Sequence, residues 1–340
     1  MPGLTPYPPF PQDVSTSPLF VIDYELIKAG DADEIERLWK AATEMGFWHL
    51  TNHEEEEGMF AMGEEATALT LERSCFLGRE TTAFRLGTFS RISRIYTLHQ
   101  PPHRHSYKAA GVLFTDNKGT RDVTEFVNIS RNDALAWLAV ARGRYPSSAN
   151  AWMESTITPF VKNLSLAIDN RLIGVLNDKL RPCGHAHKAE EAPPCAGPNF
   201  ESMSFLHNRL GGLQVLPPGS DQWFYIKPLS GHATCNIGDA LNIFSGGILR
   251  FNIHRVVPST NATLSSSSPP NDIVELRTLS EQNERIAAAV ANAPLGKYTP
   301  SVMAMEWLVR RVKAAGDKLQ DSWTDRQGTE DTAIPSQGKI

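Results

Sequence analysis

The sequence has few cysteines, no long apolar run and no marked excess of charge. Its four cysteines, Cys75, Cys183, Cys195 and Cys235, form no CxxC pair in 340 residues. This excludes a disulfide framework and predicts reduced thiols. No run of about 18 apolar residues occurs, and the first residues lack a signal-peptide pattern. We therefore expect a cytoplasmic protein without a membrane partner.

The charge balance argues against a nucleic-acid partner. The formal net charge is −5, whereas proteins that bind polyanions present a strongly basic face. The basic stretch 85–108 carries no nucleic-acid-binding motif. We interpret this stretch as a solvated segment.

Apolar periodicity predicts a mixed first half of the chain. Residues 19–27 (LFVIDYELI) and 47–53 (FWHLTNH) have strand patterns, and residues 31–46 between them have the pattern of an amphipathic helix that ends at Gly46. Further predicted helices are 58–72, 150–180 and 302–319, and residues 107–114 and 124–130 are expected to be ordered.

From residue 202 onwards the pattern changes to short strands separated by Pro, Gly and Asp. The predicted strands are 202–216, 222–228, 232–238, 240–244 and 249–257. Short alternating segments of this kind are typical of an antiparallel sandwich or barrel. Asp239 lies in a Gly-Asp turn between two of them, where local hydrogen bonding explains an aspartate.

Several of these segments carry a family resemblance. NRLGGLQVLPPGSDQWFYIKPLSGHATCNIGDAL and LRFNIHRVVP combine a Gly-Gly hairpin, a Trp strand, a Gly-Asp turn and a His-Arg-Val strand. In this order they resemble the isopenicillin N synthase-like branch of the Fe(II)/2-oxoglutarate oxygenases, especially its fungal tailoring enzymes. The resemblance implies a mainly β fold with flanking helices and a double-stranded β-helix (jelly-roll) core. It also implies oxidative tailoring of a small-molecule substrate in secondary-metabolite biosynthesis.

The resemblance suggests how the chain is divided. We expect a Pro-rich segment at 1–17 and an N-terminal α/β portion at 18–130. Residues 131–320 are expected to hold a helix, the double-stranded β-helix core and a C-terminal helix, and 321–340 a polar tail. A monomer is the expected state, with Fe(II) and 2-oxoglutarate as the cofactors that the resemblance implies.

The resemblance assigns His254 as the distal ligand of the iron. The metal of this family is held by two histidines and one carboxylate, and the His-x-Asp pair is expected just before the GGLQVL hairpin. There the sequence has Gly197, Pro198 and Asn199. Only Asn199, at the position of the expected Asp, offers an oxygen, and it is a neutral amide. Its separation from His254, 254 − 199 = 55 residues, fits the family.

The arginine that binds 2-oxoglutarate in the family is missing from the sequence as well. An Arg-x-Ser is expected after the distal histidine, because an arginine can bind the far carboxylate with two parallel hydrogen bonds. Residues 259–270, STNATLSSSSPP, contain no arginine. The sequence therefore identifies no cofactor-binding residue and leaves the catalytic residues unknown.

The departures from the family pattern are contiguous. They fall in the blocks 75–106, 181–199 and 259–269, while the flanks of each block keep the pattern. Two interpretations stay open: an altered reading of the gene, such as a retained intron or a shifted frame, or divergence toward a metal-free site. In the second case the chain is a metal-independent catalyst of a non-oxidative step, or an inactive homologue that binds a small molecule.

Two other features, the segment 183–195 and His207, have explanations other than metal binding. Residues 183–195, CGHAHKAEEAPPC, bring two cysteines and two histidines together as a zinc site would, but at a spacing that zinc sites do not use. His207, near the hairpin, is expected to face solvent or to fill a gap.

Overall fold

The described residues of the computed structural model form two compact units. Those up to residue 53 and those from 168 to 303 belong to one unit, and those from 105 to 164 belong to the other. The predicted division of the chain at residues 17, 130 and 320 stays a prediction. The structure describes residues 9–53, 105–108, 126–129, 131–135, 142, 150–164, 168, 170–181, 203–208, 211–256, 275–294, 297–298 and 302–303.

The secondary-structure elements within these residues are short, and one helical stretch contains a π-helical segment, Met153–Ile157. The strands are β1 (Phe20–Asp23), β2 (Phe47–Thr51), β3 (His105–Lys108), β4 (Phe126–Ile129), β5 (Met203–Leu206), β6 (Leu213–Val215), β7 (Phe224–Tyr225), β8 (Ala233–Ile237), β9 (His254–Val256), β10 (Glu275–Leu276) and β11 (Val302–Met303). The helices are α1 (Tyr24–Ala29), α2 (Ala32–Glu44), α3 (Arg131–Leu135), α4 (Asn150–Trp152), α5 (Thr158–Lys162), α6 (Asn170–Leu180), α7 (Asp239–Phe244) and α8 (Glu284–Ala291).

The first strand ends earlier than the sequence pattern predicts. The carboxylate of Asp23 accepts hydrogen bonds from the amides of Glu25 and Leu26, so it caps a helix, α1, instead of continuing β1. The left-handed conformation of Gly30, with φ of 79°, ends that helix. The strand prediction for 19–27 is therefore wrong from Tyr24 onwards.

The helix and strand that follow agree with the prediction. Asp31 caps α2 through the amide of Glu34, and the apolar face of α2 is buried. Gly46 lies between α2 and β2 with φ of 71°, and a Cβ there would overlap the carbonyl oxygen of Arg250. Only glycine fits this close turn, which sets the start of β2.

Two sheets of the first unit enclose a shared core. One sheet has the order β1-β2-β8-β5, with β1 parallel to β2 and the other pairs antiparallel; the other sheet has the order β7-β6-β9. Their inner faces meet in one cluster of buried apolar side chains, formed by Phe47, Leu206, Leu213, Val215 and Ile226. Burial of each such side chain contributes about 1.5–3 kcal/mol, so this cluster joins the two sheets.

Three of the predicted elements differ from the structure. Residues 240–244, predicted as a strand, lie in helix α7, in which Asp239 is the first residue. Four of these five residues are apolar, and such a short run fits a buried helix as well as a strand. All five are buried here. The predicted strand 249–257 is reduced to β9, and the predicted helix 302–319 begins as strand β11, which pairs with β10.

Other predicted elements are confirmed only where the structure describes them. All described residues of 150–180 are helical, and β4 lies within 124–130, where order is expected. The predicted helix 58–72 lies outside the described residues. In the described part of the chain, no helix has both the length and the apolar character needed to cross a membrane.

Candidate functional site

His254 begins β9 on the inner side of the smaller sheet. It pairs in register with Val215, which is fully buried in the core between the sheets. Side chains directly opposite on paired strands lie on the same face, so His254 points toward the same interior. Its ring contacts the ring of Phe47 at a centroid distance of 5.3 Å and that of Phe251 at 6.1 Å. The side chain remains exposed to solvent and therefore lies at the mouth of the core.

A hydrogen bond fixes the tautomer of His254. Its Nδ1 lies 3.0 Å from the carbonyl oxygen of Asn252. A carbonyl only accepts, so Nδ1 carries the proton and Nε2 holds the lone pair when the ring is neutral. A backbone carbonyl on Nδ1 is a common partner of metal-binding histidines, because it directs Nε2 to the metal.

The next residue holds the strand from the outer side. The Nε of Arg255 donates to the Oε1 of Gln214 at 2.7 Å, and its guanidinium lies 4.1 Å from the centroid of the Trp223 ring. Gln214 is the register partner of Arg255. We call Arg255, Gln214 and Trp223 the arginine clamp. It ties β9 to β6 and to the residue before β7, and so fixes the strand on which His254 lies.

A groove of about 410 Å³ lies beside Phe47. Its walls come from residues 17–20, 44–47 and 217–224. Most of them are apolar, and Ser17, Ser220 and Glu44 supply the polar groups. Phe47 lines this groove and also contacts His254. An apolar groove with a few polar groups has the character of a small-molecule site.

The described residues do not fit an iron centre. The family's metal needs two histidines and a carboxylate, but within the described ranges no group of three His, Cys, Asp or Glu residues could hold a metal ion. His254 is surrounded there by two aromatic rings and a carbonyl. Asn199 and its neighbours lie outside the described residues, as does the segment 183–195, and the roles predicted for His254 and Asn199 stay predictions.

The structure shows a second group of histidines that the sequence analysis missed. His49, His53, His207 and His232 lie together at one end of the larger sheet, and we call them the histidine cluster. His207 is 1% exposed, so of its two expected environments it has the buried one. The signal was present in FWHLTNH, where strand alternation places His49 and the position of His53 on one face, but the pairing with β5 and β8 was not visible.

Burial changes the acid–base behaviour of this cluster. Desolvation, and then the neighbouring His232, lowers the pKa of His49 from 6.5 to about 4. The pKa of His53 is lowered to about 4 by the same two causes in the same order. Both rings are therefore neutral at pH 7.

Comparison with known proteins shows which family the chain is similar to. Residues 173–268 match the family model of the 2OG-Fe(II) oxygenase superfamily. A 2-oxoglutarate-dependent dioxygenase of Aspergillus fumigatus is 23% identical over 286 residues, which is 73% of this chain and 72% of the relative. The 2-oxoglutarate-dependent dioxygenase iboH of Amanita muscaria is 40% identical over 60 residues, but this covers only 17% of this chain and 29% of iboH.

Solved structures show the same fold. A full-length Neurospora crassa protein, crystallised in complex with alpha-KG, has a TM-score of 0.57 and 18% identity, and the match covers 90% of this chain and 98% of that one. The dioxygenase for auxin oxidation in rice has a TM-score of 0.52 and 15% identity, with 88% and 96% covered. The jelly-roll fold expected from the sequence is thus confirmed. The chain is thus similar to the 2OG-Fe(II) oxygenases in sequence over residues 173–268 and in fold over most of its length.

Proposed function

We propose that this protein takes part in the oxidative tailoring of a small molecule in natural-product biosynthesis. We infer that it belongs to the isopenicillin N synthase-like branch and acts in the cytoplasm as a monomer, with Fe(II) and 2-oxoglutarate as cofactors. The single observation that carries the proposal is His254: it faces inward at the mouth of the core, with Nδ1 bound to Asn252 and Nε2 directed away from that carbonyl. The fungal relatives, which are named as 2-oxoglutarate-dependent dioxygenases, support the oxidative type of reaction.

The oxidative activity depends on residues that the sequence as written does not contain. His-x-Asp and Arg-x-Ser are absent from their expected positions, and His254 alone cannot hold iron firmly. The proposal therefore requires a gene product in which the blocks 75–106, 181–199 and 259–269 read differently. Sequencing the mature transcript across these blocks tests this requirement directly.

The activity itself is tested by turnover of the co-substrate. We expect the protein translated from the mature transcript to release succinate from 2-oxoglutarate only when Fe(II) is added, and His254→Ala to abolish this release. Lys227→Ala is the control, because Lys227 is exposed and belongs neither to the groove nor to the arginine clamp. The proposal fails if the transcript confirms the chain as written and the purified protein forms no succinate.

A second function is favoured by the groove beside Phe47. If the chain acts as written, it binds a largely apolar small molecule there without a metal. Seven of the ten residues that line the groove are apolar. Binding of the apolar dye anilinonaphthalene sulfonate to metal-free protein would be blocked by Ser220→Trp, which fills the groove, and not by Ser230→Trp, which lies outside it. Equal binding by both variants would exclude this groove as the site.

A further inference from the structure

The histidine cluster lies where three strands of the larger sheet meet. His49 is in β2, His53 follows that strand, His207 follows β5, and His232 precedes β8. Because β8 pairs antiparallel with both β2 and β5, these positions come to the same end of the sheet. The rings of His53 and His207 are 5.1 Å apart between centroids at an angle of 68°. Those of His49 and His232 are 6.2 Å apart at 82°.

Three of these rings are packed away from water, and His232 is half-buried. His49 and His53 are each 5% exposed, and His207 is 1% exposed. The Nδ1 of His49 lies 3.4 Å from the Thr234 hydroxyl, and the Nδ1 of His232 donates to the Ser230 carbonyl at 2.7 Å. Two edge-to-face contacts between neutral aromatic rings are favourable, so the neutral cluster stabilises this end of the sheet.

The charged groups around the cluster do not favour protonation. Within the described part of the chain, neither His49 nor His232 takes part in an ion pair, and the charge acting on His49 and His53 is that of His232. On β1 the carboxylate of Asp23 is already engaged, since it accepts from the side chain of Asn52 at 2.7 Å and from the amide of Glu25. A proton on His49 therefore brings a positive charge into a buried site that already faces a second imidazole.

We propose that the histidine cluster is an acid-sensitive latch: its neutral rings hold the ends of β2, β5 and β8 together, and protonation releases this end of the sheet. The imidazoles of His49 and His53 stay neutral in the folded chain well below the usual histidine pKa of 6.5, because burial lowers the pKa of each to about 4. When the sheet is open, His49 and His53 have the usual histidine pKa, so the open state takes up protons first as the pH falls. The latch is closed at pH 7 and weakens progressively between pH 6.5 and 4.

Hydrogen exchange at individual pH values tests the latch on the full chain. After correction for the intrinsic exchange rate, amides in 47–53, 203–208 and 232–237 should lose protection by about tenfold or more between pH 7 and pH 4.5. Amides of α2 should lose much less, because α2 carries no residue of the cluster. Equal loss in both regions, or unchanged protection in the strands, would overturn the proposal.

Variants and a direct titration make the test specific. His53→Gln keeps a polar side chain of similar size but cannot be charged, so its opening should move to lower pH by at least about half a unit. His254→Gln is the matched control, since His254 is exposed, and its opening pH should equal that of the wild type. Imidazole NMR of the wild-type chain tests the latch even if His53→Gln does not fold: rings of His49 and His53 that titrate near 6.5 without loss of protection would contradict it.

Discussion

The two ends of strand β2 show how differently one chain uses histidine. At its start, Phe47 contacts His254, an exposed ring whose tautomer is set by a backbone carbonyl. Further along and past its end, His49 and His53 are buried and pack with His232 and His207. The exposed ring lies at the mouth of the core, and the buried rings have the surroundings of a structural contact. Environment, rather than residue type or number, decides which chemistry each end can perform.

The largest expected effect is on the pH dependence of stability, which concerns only the buried end. Above pH 6.5 both the folded and unfolded states hold His49 and His53 neutral, so stability is complete. Below 6.5 the unfolded chain takes up protons first, and stability falls until the folded pKa of about 4 is reached. Over this pH range each of the two imidazoles lowers the unfolding free energy by roughly 3 kcal/mol.

Urea unfolding at a series of pH values measures this loss. The double variant His49→Gln/His53→Gln should have a much flatter profile between pH 6.5 and 4.5, while His254→Gln should follow the wild type. If all three proteins have the same slope, the contrast between the two ends of β2 is wrong.

The next effect concerns Phe47, which joins the two sheets and contacts His254. It is 1% exposed in the core cluster, so Phe47→Ala should lower the unfolding free energy by about 3–5 kcal/mol. Phe47→Leu should cost clearly less, because it keeps most of the buried volume. In NMR spectra the His254 ring signals should shift in the alanine variant. If the ring signals of His207 shift as much, the two ends of β2 are coupled, and the contrast between their histidines is wrong.

The sequence predicted more of the fold than of the site, and for physical reasons. The pattern of β2 and the capped, amphipathic α2 are local signals, and both were confirmed. Helix α7 was missed because a short buried apolar run has no distinguishing period. The histidine cluster was missed because it depends on the register of β2 and β5 with β8, which brings together residues far apart in the chain.

His254 shows how much of a functional role a family resemblance can predict. A single histidine on a strand carries no functional signal, but the flanking Arg-Val-Val and the hairpin order gave it a predicted role. The structure adds its inward face, its tautomer and its aromatic neighbours. A complete metal site also requires a second histidine and a carboxylate, and the position of His254 on its strand does not supply them.

The smallest expected effect comes from the arginine clamp on the outer side of β9. Arg255→Ala removes a hydrogen bond to Gln214 and the stacking on Trp223, and should cost about 1–2 kcal/mol. Arg255→Lys keeps the charge but loses the planar stack, so it should lie between alanine and wild type. A double-mutant cycle with Trp223→Leu should give a coupling free energy of about 0.5–1 kcal/mol.

The arginine clamp holds the strand of His254 and includes no residue of the histidine cluster. Loss of the clamp should therefore change the His254 ring signals, while the pH dependence of stability stays the same. A shifted acid profile in Arg255→Ala would mean that β9 and the histidine cluster unfold as one unit.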